Sequence, residues 1–341
     1  MAVTSQRERI HRLLRYIRPG KMLNLGLVGA SYLLSRIAPG SARAWGCPPE
    51  LIIEPTSHCN LRCPLCPSGN KTLQRKAGFM DMGLYRKIID DVRGKACNVL
   101  LYGLGESFLH KEFLEMIRYA RDAGLYTSLS TNGHYLSDPD ALIDSGLDSL
   151  ILSIDGVTQE TYSQYRVGGD LAKVMEGTRA LEDAKLRRGS KTPYTRLQFI
   201  LFRHNEHEVE EAHRLAKELG VDRMVAKTAE IPEDDGMAEF LPDGEEHRRY
   251  DESAESFALK GEIRDRCQIL FHRPMITWEG ELLPCCYDVE GDFRWGKLGN
   301  GTTLPRVWTN YRANRFRKKI FADRMSAGIC QRCGEGMKLH K

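Results

Sequence analysis

The chain has 341 residues, of which 41% are apolar and 28% charged, a composition that excludes a disordered or fibrous protein and allows one or two domains. No apolar run reaches the roughly 18 residues of a membrane span, and no short apolar stretch with a cleavage site opens the chain, so a soluble cytoplasmic protein is expected. The net charge of +4 hides a division, because residues 1–46 carry eight Lys or Arg against one Glu while the remainder is close to neutral.

Ile10, Leu13, Leu14 and Ile17 recur at helical spacing among Arg9, Arg12, Arg15 and Arg18, which predicts an amphipathic helix with a basic face ending at Pro19-Gly20. Met22 to Ser35 is apolar but too short to span a bilayer. Residues 1–46 therefore read as a helical preface packed on the main domain, with a weak contact to a membrane surface or other anionic partner as the alternative. No interleaved aromatic platform accompanies the basic residues, so nucleic acid is not an expected partner.

From Leu51 the pattern alternates. Strands are expected at 51–55, 97–102, 125–130, 148–154, 194–202 and 221–227, with helices at 82–93, 111–123, 138–145, 170–187 and 206–219 between them. This is an α/β pattern, a parallel sheet that is open or curled into a partial barrel, in which ligands sit at the carboxyl ends of the strands. Residues 230–262 hold twelve Asp or Glu against three Lys or Arg and read as a solvated acidic connector or a lid. Beyond it, Met275–Trp278 and Glu281–Pro284 flank Glu279-Gly280 as a hairpin, and a helix is expected over 303–319. The resulting division is a preface over 1–46, a barrel over 47–229, a connector over 230–262 and a small C-terminal domain over 263–341.

Ten cysteines are too few for a disulfide-stapled mini-domain and more than packing needs. Cys59, Cys63 and Cys66 form C-x3-C-x2-C in the loop after the first strand, while Cys267, Cys285, Cys286, Cys330 and Cys333 come late. Three thiolates can hold three irons of a four-iron cluster and leave the fourth open, although zinc with a borrowed fourth ligand such as His58 suits the same donors. His204, His207 and His213 read as surface residues, and Cys47 and Cys97 as core or surface thiols.

With its cysteine loop directly after strand one of a six-unit alternation, the chain resembles the radical SAM superfamily. Tyr102-Gly103-Leu104-Gly105-Glu106 resembles the glycine-rich segment that receives the amino group of S-adenosylmethionine, with Ser107 where Pro is usual. Ser130-Thr131-Asn132-Gly133 resembles the stretch contacting ribose and carboxylate; Ser153 and Arg166 match residues that hold the methionyl carboxylate. Leu65 stands where many relatives carry an aromatic. Cys267, then Gly280, then Cys285 resembles the opening of the SPASM extension, and with Cys330 and Cys333 the pattern resembles its shortened twitch form, which implies one auxiliary 4Fe-4S cluster on those four cysteines. A zinc knuckle is the alternative for that last pair.

The resemblance implies cleavage of S-adenosylmethionine by a reduced 4Fe-4S cluster on Cys59, Cys63 and Cys66, with hydrogen abstraction from an unactivated carbon. An electron donor such as flavodoxin or ferredoxin is then required. Two-electron oxidation of a small, sugar-like alcohol, assisted by the auxiliary cluster, is the leading expectation. Cys286 and Asp288 are the candidate catalytic groups beside Cys285, and a hydrogen atom returned by Cys286 would instead make an epimerase. Peptide modification and an iron-sulfur redox sensor or electron carrier are the further alternatives.

Overall fold

The computed structural model describes residues 16, 18–230, 237–251, 258–331 and 333–335; apart from Tyr16, the helix expected over 10–17 lies outside the described residues. Helix α1 (Pro19–Ile37) opens the described chain. It is followed by β1 (Glu50–Ile53), α2 (Met82–Val92), β2 (Asn98–Leu100), α3 (Phe113–Asp122), β3 (Tyr126–Thr131), α4 (Pro139–Asp144) and β4 (Ser149–Ser153). Then come α5 (Gln159–Tyr165), α6 (Leu171–Arg188), β5 (Tyr194–Leu201), α7 (Val209–Glu218) and β6 (Arg223–Thr228). The expected strand and helix alternation is thus present. Asp81, Asp138 and Asp170 start α2, α4 and α6 by accepting a backbone N–H in the first turn, which supplies one of the partners a helix start lacks. The short α5, capped in the same way by Thr158, was not expected; two turns of polar residues give too little periodicity to read.

Strands β1 to β6 pair in parallel and in chain order. Along β5, Thr195, Leu197, Phe199 and Leu201 are buried while Tyr194, Arg196, Gln198 and Ile200 are partly open. Leu197 and Phe199 join Val174 of α6 and Leu215 of α7 in one apolar cluster, so the helices cover that face. The other face turns inward and carries polar side chains, as the interior of a curled sheet holding a ligand requires.

The acidic stretch contains a two-stranded ribbon, β7 (Tyr250–Asp251) with β8 (Ala258–Leu259). After α8 (Ile269–His272) the expected hairpin forms from β9 (Met275–Ile276) and β10 (Glu281–Leu283), extended by β11 (Gly296–Lys297). Gly280 turns it at φ +85°, a conformation that disfavours any residue with a Cβ. β9 pairs in parallel with the free side of β1, Ile52 opposite Met275, so a single sheet runs β11-β10-β9-β1-β2-β3-β4-β5-β6. The helix expected over 303–319 is two, α9 (Leu304–Trp308) and α10 (Tyr311–Ala322). Asn310 divides them because its side chain accepts the Ala313 N–H at 2.9 Å and restarts the helix. A last turn, α11 (Gly328–Gln331), precedes Cys333.

Candidate active site

The first cysteine loop leaves β1 at its carboxyl end. Leu61 and Leu65, the apolar residues between the cysteines, are buried with Tyr165, Phe202, Leu241 and Tyr250, so Leu65 serves as an anchor in the core. The anchoring holds the backbone while Cys59 and Cys66 stay partly open. The Arg62 N–H donates to Val167 O at 2.9 Å and that of Gly69 to Cys66 O at 2.8 Å. A Cβ on Gly69 would meet the Cys63 nitrogen at 2.5 Å, so the turn closes only with glycine there. Burial raises the Cys59 thiol to about 11 and pushes Cys63 up as well. Cysteines act as metal ligands in the thiolate form, and the N–H donors around Cys59 and Cys63 suit anionic sulfurs. Leu61 N lies 3.4 Å from Cys59 Sγ, Arg166 Nη1 3.9 Å from Cys63 Sγ and Asn132 Nδ2 4.0 Å from Cys59 Sγ.

The segments expected to hold S-adenosylmethionine gather at the same rim. Gly103, Leu104 and Gly105 follow β2, and a Cβ on Gly105 would lie 2.4 Å from Thr56 O and 2.7 Å from His58 O. Backbone here touches backbone of the cysteine loop. Glu106 is buried, and its carboxylate accepts from Thr131 Oγ1 at 2.9 Å, Asn132 N at 2.8 Å and Phe108 N at 3.2 Å, while its own N–H donates to His58 O. Its carboxylate thus fastens the ends of β2 and β3 to each other. Asn132 donates to Asn60 Oδ1 at 2.8 Å and accepts from His134 N at 3.1 Å. Ser130 is partly open near the end of β3 and Ser153 is buried at the end of β4.

Arg166 follows α5 directly, and its Nε and Nη2 both donate to Asp155 Oδ2, at 2.6 and 2.5 Å. The other oxygen of Asp155 accepts the Ile200 N–H of β5 at 2.6 Å. Burial opposes the Arg166 charge, but Asp155 together with the nearby Cys63, Tyr165 and Tyr162 more than offsets it and holds the guanidinium ionised. Asp155 is the functional residue that sequence reasoning missed. It stands two residues after Ser153 among apolar neighbours, and that setting is the one signal it gave.

The second group also assembles. Cys267, Cys285, Cys330 and Cys333 line one cavity with Cys286, Tyr287, Arg273 and Arg324. Arg324 is 1% exposed and donates to the carbonyls of Cys333, Glu335 and Arg266. Its Nε has no hydrogen-bond partner, and no carboxylate pairs with its guanidinium among the described residues. The charge faces Cys267, Cys333 and Cys330, a donor set that fits an anionic thiolate-bound cluster. Burial drives Cys285 well above the usual thiol range and Cys330 to about 12.

Cys286 is exposed and also lines this cavity, near Arg273 and Glu230. Asp288, expected as a base, is 1% exposed and its carboxylate accepts the Phe293 N–H at 3.1 and 3.3 Å, closing its own loop. Facing the same space as Cys286 are Tyr102, Arg273, Glu230 and Tyr287, whose hydroxyl donates to Glu230 at 3.0 Å. Lys227, opposite Ile200 in the β5–β6 register, is exposed at its surface yet stands near Arg196, Glu230, Arg249 and Arg273, and partial desolvation with the three cations lowers its pKa. His207 and His213 are exposed as expected, but His204 stacks on Phe202 at 5.4 Å and is half-buried. Cys47 and Cys97 are buried.

A family model described as the radical SAM superfamily matches residues 53–216, and one described as an iron-sulfur cluster-binding domain, SPASM, matches 267–334. The PqqA peptide cyclase of Gluconobacter oxydans is 32% identical over 181 residues, 52% of this chain and 48% of that protein, so the match spans about half the relative's length. The tungsten-containing aldehyde ferredoxin oxidoreductase cofactor-modifying protein of Pyrococcus furiosus is 29% identical over 298 residues, 78% of this chain and 82% of that one. Among solved structures, BtrN in complex with AdoMet and 2-DOIA is similar at a TM-score of 0.51 and 16% identity, over 84% of this chain and 93% of that one. With the cysteine loop at the rim of a partial barrel and a second cysteine group beside β1, the chain belongs to the radical SAM superfamily and carries a C-terminal SPASM iron-sulfur domain.

Proposed function

We propose that this radical SAM enzyme carries out a two-electron oxidation of a small, sugar-like alcohol. When bound, S-adenosylmethionine on a three-cysteine cluster supplies a radical that abstracts hydrogen, and a four-cysteine cluster supplies an electron acceptor. The observation that carries the reading is the convergence of Cys267, Cys285, Cys330 and Cys333 around one cavity beside the unpaired charge of Arg324. Four thiolates leave no open corner for substrate, which suits that site to electron transfer.

On the barrel side, Gly103, Leu104, Gly105, Glu106, Ser130, Asn132, Ser153 and Arg166 form the pocket for S-adenosylmethionine, and Asp155 takes Nε and Nη2 of Arg166, which fixes the guanidinium and leaves Nη1 for a carboxylate. Oxidation also needs a proton acceptor. With Asp288 turned into its own loop, Lys227 takes that part, because partial desolvation together with Arg196, Arg249 and Arg273 near it lowers its pKa and shifts it toward the neutral amine. A second reading is favoured by Cys286, whose thiol opens on the cavity and would return a hydrogen atom in an epimerase.

The test is anaerobic reconstitution of the wild type beside a Cys330→Ala, Cys333→Ala variant. The wild type should hold about eight irons and the variant about four, with 5'-deoxyadenosine still formed on reduction. Unchanged iron removes the electron acceptor and with it the oxidation. With amino-sugar alcohols as trial substrates, loss of a hydrogen pair from the product supports oxidation. Uptake of solvent deuterium without that loss supports the Cys286 reading.

A further inference from the structure

Helix α1 has its polarity inverted. Its buried positions are Lys21, Asn24, Val28, Ser31 and Ser35, whereas Met22 is 62%, Leu23 68%, Leu33 55% and Ile37 80% exposed. The inner face is held by polar contacts. Lys21 Nζ donates to Gly124 O at 2.5 Å, Asn24 Nδ2 to Cys47 O at 2.9 Å, and Asn24 Oδ1 accepts the Cys47 N–H at 2.7 Å. A helix that merely packs on a domain turns its apolar side inward. Of eleven large apolar side chains exposed among the described residues, seven belong to this helix, so the exposure is concentrated in one patch.

The surroundings indicate what covers it. Met22 to Ser35 contains no charged residue, and Arg18 and Arg36 flank it. At its carboxyl end, Leu34 and Ile37 share a groove with Trp45 and Tyr311, edged by Arg43 and Lys318 and by no acidic side chain among the described residues. An apolar strip with cations at its margins and Trp and Tyr at its edge matches the boundary between acyl chains and anionic headgroups. A second copy docked on the same patch would bring these cations against their own equivalents. No described helix is long and apolar enough to cross a membrane, so the 19 residues of α1, about 28 Å long, would lie flat. Lys21 and Asn24 bind Gly124 and Lys95, just before β3 and β2, which places α1 at the amino ends of the strands, opposite the cysteine loop.

We propose that this face of α1, with the Trp45 and Tyr311 groove, docks on the surface of an anionic lipid bilayer. The experiment is co-sedimentation of the full reconstituted chain with vesicles of phosphatidylglycerol and phosphatidylcholine, or of phosphatidylcholine alone. The wild type should pellet with the anionic vesicles, less so as salt rises. A Leu23→Ser, Leu33→Ser, Ile37→Ser variant should bind at least about tenfold more weakly with iron content and melting temperature unchanged, and Arg43→Gln, Lys318→Gln should lose the preference for anionic lipid. Failure of the wild type to pellet overturns the proposal. So does a triple-serine variant that binds like the wild type, which would assign binding to the segment before α1. A concentration-dependent dimer that the serines dissolve, without vesicle binding, would overturn it in favour of a second copy.

Discussion

Replacing Asp155 by Asn tests whether a buried ion pair holds the rim of the barrel. Asp155 is fully buried and Arg166 has 13% of its side chain exposed, so the substitution leaves a guanidinium with little water and no counter-charge. The Ile200 N–H bond to Oδ1 survives, because an amide oxygen also accepts, but the amide nitrogen then stands where Arg166 donates, so the change removes the counter-charge and both guanidinium hydrogen bonds together. Breaking such a pair costs about 3–5 kcal/mol, and at roughly 2–4 °C per kcal/mol for a chain somewhat smaller than this one, Asp155→Asn should lower the melting temperature by on the order of 10 °C. The assay is a thermal melt of the anaerobic protein by circular dichroism, followed by 5'-deoxyadenosine formation below the transition. Adding Arg166→Met removes the second charge and should restore at least half of the lost stability without restoring cleavage of S-adenosylmethionine. A single variant melting within about 2 °C of the wild type, on the same scale, would refute the argument that Asp155 compensates Arg166.

Lys227→Met should leave 5'-deoxyadenosine formation intact but reduce oxidised product by about 100-fold or more. In the wild type, product formation should rise with pH through the lowered Lys227 value, since the neutral amine is the acceptor; a profile flat in pH would exclude the lysine. Arg324→Met removes a buried positive charge facing Cys267, Cys333 and Cys330 and should lower the potential of a cluster bound there, read by redox titration with electron paramagnetic resonance. Burial lifts the Glu54 carboxyl from its ordinary 4.5 to about 7 despite Arg75, so the folded chain keeps a proton that the unfolded chain releases. Relative to Glu54→Gln, the wild type should therefore lose about 3 kcal/mol of stability as pH rises across that window and no more above it. Denaturant melts at several pH values check it.

Periodicity made the alternating strands and helices legible, since apolar runs and capping residues recur at the spacing of a parallel sheet. The cysteine groups were legible for a related reason: ligand spacing is a local property of the chain. Glu106, Asp288 and Arg166 show what position alone does not reveal. Each was identified by position, but the protein atoms its charged group meets come from other strand ends or from the fold of its own loop. Glu106 is bound by Thr131 and Asn132, Arg166 by Asp155, and Asp288 by its own loop. Helix α1 was visible as an apolar segment, yet its inversion follows from Lys21 and Asn24 finding carbonyls at Gly124, Cys47 and Lys95, partners that no local pattern reveals.

Both cysteine groups hang from β1, and this fixes their separation. On one side of β1 the chain leaves directly into Cys59, Cys63 and Cys66; on the other, β9 pairs with it and turns through β10 into Cys285. The segment after Cys66 is tied back to that second region. Arg75 Nε donates to Val289 O at 2.7 Å, Gln74 N to Glu290 at 3.0 Å, and Trp278 Nε1 to Lys76 O at 3.0 Å. A Cβ on Gly78 would strike the Trp278 ring at 2.5 Å, so the two layers are in close contact without a gap for movement. Changing the distance between the cysteine groups would require breaking the β1–β9 ladder and these three contacts together. Electron transfer between clusters bound at the two groups would therefore run over a separation set by a sheet.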